Sequence, residues 1–263
     1  TLTETRDWLN AAFGRDGVAP IPLRGPWVLA LMVSLTAIGW PLAGLMRHWR
    51  AEAPPPSLPR GRFWLTLALP ALATPLILAP LKISFLPVLV ADYLAVHFAL
   101  MGALTLALCA AFGALRPGGW RALVLALPVA LFAILIFGQG LDRYVASFWP
   151  TGPRIPVVLA MALGAVPFLL ADATLTEGGR ARWTRTLAVR ATALASLGLA
   201  VALDFERLMF LLIILPVLLL FYLLFGTLGG WVGRATWRPG VQGLALGIFL
   251  GWALGVTFPM FAA

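Results

Sequence analysis

The sequence predicts an all-α protein: a polytopic integral membrane helical bundle of about eight transmembrane helices, preceded by a short amphipathic helix. Of its 263 residues, 61% are hydrophobic and 11% are charged, whereas soluble proteins average about 25% charged residues. The mean hydropathy is +0.95, and the apolar residues fall into runs long enough to cross a bilayer. Composition therefore excludes a soluble globular domain and implies a lipid bilayer as the first partner.

Composition also limits the kinds of functional site. The net charge of +9 is spread over many loops, which is typical of topology signals and of contacts with anionic lipid. We therefore predict no nucleic-acid partner. One cysteine, Cys109, and two histidines, His48 and His97, argue against an internal disulfide and against a multi-ligand metal site. We predict no cofactor and no metal.

No catalytic motif is visible in the chain. The sequence contains no G-x-S-x-G, no H-E-x-x-H and no P-loop. A serine nucleophile elbow, a zinc hydrolase centre and a phosphate-binding loop are therefore not predicted. No catalytic residue is assigned on this chain.

Residues 1–18 are predicted to contain the amphipathic helix. Thr1 and Glu4 have the spacing of a capping box, and Gly14 is a C-terminal stop signal. A helix of about 12 residues is marginal alone in water. Its apolar stripe must therefore pack on the membrane surface, on the bundle or within an upstream soluble domain. The stripe consists of Leu2, Leu9 and Phe13.

A proline-rich linker is predicted for residues 19–26, followed by the transmembrane domain at 27–263. The second span carries prolines that free backbone carbonyls, which a membrane helix must satisfy through its neighbours. Asp172 is predicted to end the fifth span, and 174–190 to form a polar loop with four arginines. The predicted spans are 27–45, 63–81, 86–112, 122–141, 155–170, 187–203, 208–228 and 241–258.

The third span contains a candidate intramembrane polar site formed by Asp92, Tyr93 and His97. An ionisable residue inside a span marks a functional site or a buried pairing site. Tyr93 and His97 share a helical face, whereas Asp92 and His97 point roughly 140° apart. We therefore expect Asp92 and His97 each to find a polar partner on a neighbouring helix. A chemical or transport role is one alternative, and a position of Asp92 near water at the span end is another.

The arginine distribution predicts the orientation. The loops after the first, third, fifth and seventh spans hold most of the basic residues, so the positive-inside bias places both termini outside the cytoplasm. Several charged residues then lie on the outer side, where they form a candidate platform for a soluble domain. The alternative is that these are ordinary loop charges. The platform residues are Asp142, Arg143, Asp204, Glu206 and Arg207.

The last span carries four glycines at four-residue spacing: Gly243, Gly247, Gly251 and Gly255. Glycines on one helical face let another helix approach closely, so this ladder predicts tight helix packing. The packing partner is either a helix of the same bundle or a second copy of the chain.

The segment 4–14 (ETRDWLNAAFG) is similar to the last helix of the hydrolase domain in bacterial membrane-anchored α/β-hydrolases. The stretch 168–172 (FLLAD) is similar to a span ending in those proteins. With the proline linker and eight spans, the chain loosely resembles the C-terminal polytopic membrane domain of that family. The resemblance implies an anchor for an upstream hydrolase at the outer face of the bacterial inner membrane, acting on lipid-like or ester substrates. In that family the catalytic residues precede the last helix, so none falls on this chain.

A second interpretation comes from a different functional class. The chain would then be a stand-alone polytopic protein, either a structural subunit that binds other membrane subunits or a carrier of small molecules or lipids. The two interpretations differ in whether a soluble domain precedes the amphipathic helix.

The orientation is testable by labelling single cysteines. In a Cys109→Ala background, we expect Ser57→Cys to be protected from an impermeant thiol reagent added outside the cell, and Ala146→Cys to be labelled. Position 57 belongs to an arginine-rich loop and position 146 to a loop on the other side. Labelling of position 57 with protection of position 146 would reverse the orientation.

Overall fold

The computed structural model describes residues 2–15, 24–86, 88, 90–116, 118–142 and 149–258. Within these residues the chain is entirely helical, without a β-strand, which confirms the predicted fold class. Eight of the described helices are long and apolar enough to cross a membrane. The protein is therefore a multi-pass membrane protein.

The helices follow one another in a simple up-and-down order. Helix α1 (Leu2–Ala12) precedes the bundle, and α8 (Phe205–Leu208) is a single turn. The spanning helices are α2 (Gly25–Leu45), α3 (Arg60–Leu78), α4 (Ala91–Ala111), α5 (Gly119–Asp142), α6 (Ile155–Leu175), α7 (Trp183–Leu203), α9 (Leu211–Thr236) and α10 (Pro239–Thr257).

The structure shifts several predicted boundaries. Helix α2 begins at Gly25, inside the predicted linker, and α4 begins at Ala91, five residues later than predicted. The polar loop predicted at 174–190 is wrong in length, because α6 continues to Leu175 and α7 begins at Trp183. The predicted loop was set by its charged residues, from Asp172 to Arg190, but Asp172 lies within α6, and Arg185 and Arg190 lie within α7.

Helix α1 ends as its sequence predicts. Gly14 has a φ of +57°, a left-handed conformation that favours glycine. The N–H of Arg15 donates to the carbonyl of Asn10 over 2.9 Å, which closes the last turn in the manner of a glycine C-cap. Thr1, the first residue of the predicted capping box, and Pro20 and Pro22 of the predicted linker lie outside the described residues, whereas Pro26 lies in the first turn of α2.

The glycine ladder of α10 packs against α6 in the same bundle. A Cβ added at Gly243, Gly247 or Gly255 would lie 2.6 Å from the Cα of a residue on α6. At Gly251 an added Cβ would meet the backbone of Ala162 even more closely. The partners are Leu170, Val166, Ala162 and Val158 in that order, so the two helices run antiparallel. Helix α10 is the most buried of the eight spans.

Helix α6 also packs closely against α4, on its other side. A Cβ at Gly102 of α4 would lie 2.7 Å from the Cα of Phe168, and one at Gly164 would lie 3.0 Å from the Cα of Ala95. The rings of Phe98 and Phe168 stack between these contacts, with centroids 4.4 Å apart. Helix α6 is thus held between α4 and α10, and these three helices form the centre of the bundle.

The two ends of the bundle differ in charge. The loops after α2, α4, α6 and α9 lie at one end, which we call the arginine-rich face; the other end is the opposite face. At the arginine-rich face the Trp237 ring lies between two guanidinium groups, 4.7 Å from Arg50 and 4.9 Å from Arg180. These cation–π contacts join three loops. At the opposite face, Arg154 donates to the carbonyls of Val256 and Phe258 over 2.8 Å each and caps α10.

The ladder predicts a position-specific cost of adding one methyl group. We expect Gly247→Ala to lower the free energy of unfolding by about 1–3 kcal/mol, the usual range for overpacking, because its Cβ meets backbone on α6. Gly198→Ala on α7 is the matched control, since nothing outside its own helix lies within 4 Å of the added Cβ. Thermal unfolding in detergent measures both, and equal melting temperatures for the two variants would contradict the close approach.

Candidate functional site

Asp92 lies in the first turn of α4, at the opposite face, and not in the middle of a span. Its Oδ1 accepts a hydrogen bond from the backbone N–H of Tyr93 over 2.7 Å, and its Oδ2 accepts one from Phe85 over 3.3 Å. A carboxylate is favourable at a helix N-terminus, where N–H groups lack helical partners. The expectation that Asp92 finds its partner on a neighbouring helix is therefore wrong. Pro87, which cannot continue a helix through its own N–H, was the sequence signal for the later start.

The start of α4 meets the turn between α7 and α9. Arg207 lies over the ring of Tyr93, 5.6 Å from its centroid, and its two terminal nitrogens donate to the carbonyl of Leu81 over 3.1 Å each. Asp204 accepts from the backbone N–H of Arg207 over 3.3 Å and caps α8. The two side chains form an ion pair at 3.6 Å. Arg207 thus ties three segments together at the opposite face.

A small cavity of about 190 Å³ lies beside this junction. Asp92, Tyr93 and Arg207 line it together with apolar residues of the segment before α4. Arg207 already makes two hydrogen bonds and an ion pair, and Asp92 already accepts two backbone donors. The arrangement therefore stabilises the junction, and it leaves little free charge for a ligand.

The predicted platform residues are only partly brought together. Asp204 and Arg207 form the contact just described, and Glu206 is exposed in the same turn. Asp142 is the last residue of α5, on a helix that packs with α2 and α10. Arg143 lies outside the described residues.

His97 faces inward and contacts a serine on a neighbouring helix. Its Nε2 lies 3.1 Å from Oγ of Ser196 on α7, and that hydroxyl donates to the carbonyl of Ala71 on α3 over 2.7 Å. Pro75 stands four residues after Ala71 and has no N–H to offer this carbonyl. Ser196 therefore supplies the hydrogen bond that the proline removes, as membrane helices require.

This bonding pattern assigns the donor on His97. The single proton of the Ser196 hydroxyl is used on Ala71, so Nε2 of His97 is the donor to that oxygen. Nδ1 of His97 and the hydroxyl of Tyr93 have no partner within the described part of the chain, and the two rings lie 5.9 Å apart. His97 is fully buried. Its contacts join α4, α7 and α3, which is a structural role.

A second buried polar cluster, which the sequence analysis missed, joins α6, α7 and α9. Arg190 on α7 lies 3.8 Å from Asp172 on α6, measured from Nε to Oδ1, and Asp172 is 5% exposed. The other guanidinium nitrogens donate to the carbonyls of Tyr222 and Gly226 on α9 over 3.2 and 3.3 Å. The guanidinium also lies 5.1 Å from the centre of the Tyr222 ring. Gly226 makes room for it, since an added Cβ would lie 2.7 Å from the guanidinium carbon.

The contacts of Arg190 explain why this arginine lies within α7 and not in the loop before it. Two charges inside a membrane domain are tolerated when they pair, and two of the three Arg190 guanidinium nitrogens also donate to carbonyls, while Nε has only the ion pair with Asp172. The signal in the sequence was the helical spacing of Trp183, Leu187, Ala191 and Leu194, which carries the apolar pattern of α7 back past Arg190.

A groove opens beside this cluster, between α7 and α9, with a volume of about 460 Å³. Arg190 and Tyr222 line it, and Arg234 lines its end at the arginine-rich face. The Tyr222 hydroxyl has no hydrogen-bond partner among the residues that the structure describes. Among the same residues there is no group of three or more side chains suited to hold a metal ion.

Comparison with known protein families, with characterised proteins and with solved structures finds no match for this chain.

The contact between Ser196 and Ala71 predicts a coupling between two helices. We expect Ser196→Ala to lower the free energy of unfolding by about 1–3 kcal/mol, because it leaves a buried carbonyl and a histidine N–H without partners. In a Pro75→Ala background the cost should be smaller, because residue 75 then offers an N–H to Ala71. A double-mutant cycle on melting in detergent measures the coupling. Ser34→Ala, which removes a hydroxyl bonded within its own lipid-facing helix, is the control. Equal costs of Ser196→Ala in both backgrounds would contradict the assignment.

Proposed function

We propose that the chain is a membrane-embedded anchor that holds a water-soluble domain, of the α/β-hydrolase class, at the outer face of a bacterial inner membrane. The observation that carries this proposal is the uncovered apolar side of α1. None of the described residues of α1 is buried. Leu2 and Trp8 are 70% and 69% exposed, and Phe13, directly after the helix, is 70% exposed.

A protein partner fits α1 better than a lipid surface does. Helices that lie on membranes carry a strongly basic polar face, whereas that of α1 contains Glu4, Arg6 and Asp7. Arg6 and Asp7 form an ion pair at 2.7 Å, so their charges offset each other. The polar face of α1 is thus not basic, and a stripe of large apolar side chains beside such a face is what the last helix of a soluble domain presents to its own core.

The position of α1 along the chain agrees with this proposal. Helix α1 comes before α2, whose first residue lies at the opposite face. The positive-inside bias assigns that face to the outside of the cytoplasm. The turn with Asp204, Glu206 and Arg207 lies at that same face and offers polar contacts for a docked domain. The hydrolytic chemistry, on lipid-like or ester substrates, would belong to the soluble domain.

Labelling of the native protein with a serine-reactive fluorophosphonate tests the proposal. In membranes from the source cells, we expect a labelled species that contains this sequence and exceeds the 28.2 kDa of the chain. A heat-denatured sample controls for non-specific reaction, because an activated serine requires a folded site. An unlabelled species of about the chain's own size would overturn the hydrolase anchor and leave a carrier or a structural subunit.

A further inference from the structure

We propose that the groove between α7 and α9 binds one anionic phospholipid, with the headgroup at the arginine-rich face and an acyl chain along the inner part of the groove. This inference is independent of the hydrolase proposal, because it concerns the lipid-facing side of two spans and not the surface around α1.

The groove follows one face of each helix for several turns. On α7 its lining begins at Trp183 and ends at Leu194, and on α9 it extends from Arg234 back to Leu219. At about 1.5 Å per residue, these stretches cover roughly 16 and 22 Å along the helices. The groove therefore starts at the membrane surface and reaches into the hydrocarbon layer, as one lipid molecule does.

The groove is polar at its arginine-rich end and apolar at its inner end, which matches the headgroup and the acyl chains of a phospholipid. The end at the arginine-rich face has Gly179, Thr186 and Arg234, whereas the inner end has Leu194 and Leu219. Trp183, at the arginine-rich end of the groove, is 74% exposed. Tryptophan is enriched at this depth, where a membrane meets water. Between these ends Gly226 and Gly230 lack side chains, and the space beside them holds the guanidinium groups of Arg190 and Arg234.

The end of the groove at the arginine-rich face carries a positive charge that can contact a ligand. Arg234 is exposed, donates one hydrogen bond to the carbonyl of Gly179 over 2.8 Å, and forms no ion pair with any carboxylate in the described part of the chain. Arg190 lies deeper and pairs with Asp172 at 3.8 Å, so Arg234 is the groove arginine without a carboxylate partner among the described residues. A phosphate diester carries one negative charge and accepts hydrogen bonds from guanidinium groups.

A second polar side chain lines the groove at a deeper level. Tyr222 lines the groove and is only 5% exposed, and its hydroxyl lacks a hydrogen-bond partner within the described residues. A buried hydroxyl without a partner is costly. Tyr222 lies 12 residues before Arg234 on α9, roughly 18 Å deeper along the helix, so the headgroup contact in this proposal is made by Arg234 and not by Tyr222.

Lipid binding by the purified protein in neutral detergent tests the proposal. Native mass spectrometry and thermal shift would compare phosphatidylglycerol, phosphatidylcholine and glycerol 3-phosphate. We expect phosphatidylglycerol to bind most tightly. Arg234→Gln should weaken its binding about tenfold, the effect of losing one charge-assisted hydrogen bond. Ala191→Trp, at an exposed position in the groove, should weaken the binding of both lipids, because the larger side chain fills the groove without removing a charge.

Arg121→Gln is the matched control. Arg121 is exposed on α5 at the same face but does not line the groove, so its loss should leave phosphatidylglycerol binding unchanged. Equal binding of the two lipids, equal losses in Arg121→Gln and Arg234→Gln, or full binding in Ala191→Trp would each overturn the proposal. Binding of glycerol 3-phosphate as tight as that of phosphatidylglycerol would assign a soluble phosphate ligand instead. If Arg234→Gln fails to fold, Ala191→Trp decides.

Discussion

The close approach of α6 to two other helices is the constraint on which the bundle depends. Lipid tails are as apolar as leucine, so burial of apolar surface does little to bring membrane helices together. Close backbone packing takes its place, and it requires residues without bulk. The ladder from Gly243 to Gly255 provides this on one side of α6, and Gly102 and Gly164 provide it on the other. The remaining spans arrange themselves around this three-helix centre.

Polar side chains complete the contacts that close packing alone leaves unsatisfied. Prolines in the spans remove backbone hydrogen bonds, and water is absent from the bilayer core to replace them. Ser196 meets this need at Ala71, while the Arg190 guanidinium bonds to carbonyls of α9 and neutralises Asp172. These buried polar residues join helices that are distant in sequence, which accounts for their place inside an apolar bundle.

The arginines do more than set the orientation of the protein in the membrane: they also make contacts that hold its loops together. At the arginine-rich face Arg50 and Arg180 stack on the ring of Trp237, and Arg50 also donates to the carbonyl of Ala235 near the end of α9. A guanidinium has five donors and a planar face, so it can bind protein and lipid phosphate at once. Arg234 combines both tasks in the proposed site. Among the residues that the structure describes, the opposite face has fewer such contacts.

The sequence by itself determined the number of spans, the stop at Gly14 and the glycine face on which α10 packs closely. Each of these depends on hydropathy or spacing within one segment, which the order of residues states directly. Only the tertiary structure decided that the ladder faces α6, that Asp172 pairs with Arg190, and that Ser196 compensates for Pro75. The place of Asp92 in the first turn of α4 is by contrast a local matter, since its partners are the nearby N–H groups of Phe85 and Tyr93. Partners on different helices are chosen by three-dimensional packing, and local periodicity carries no information about which helix lies beside which.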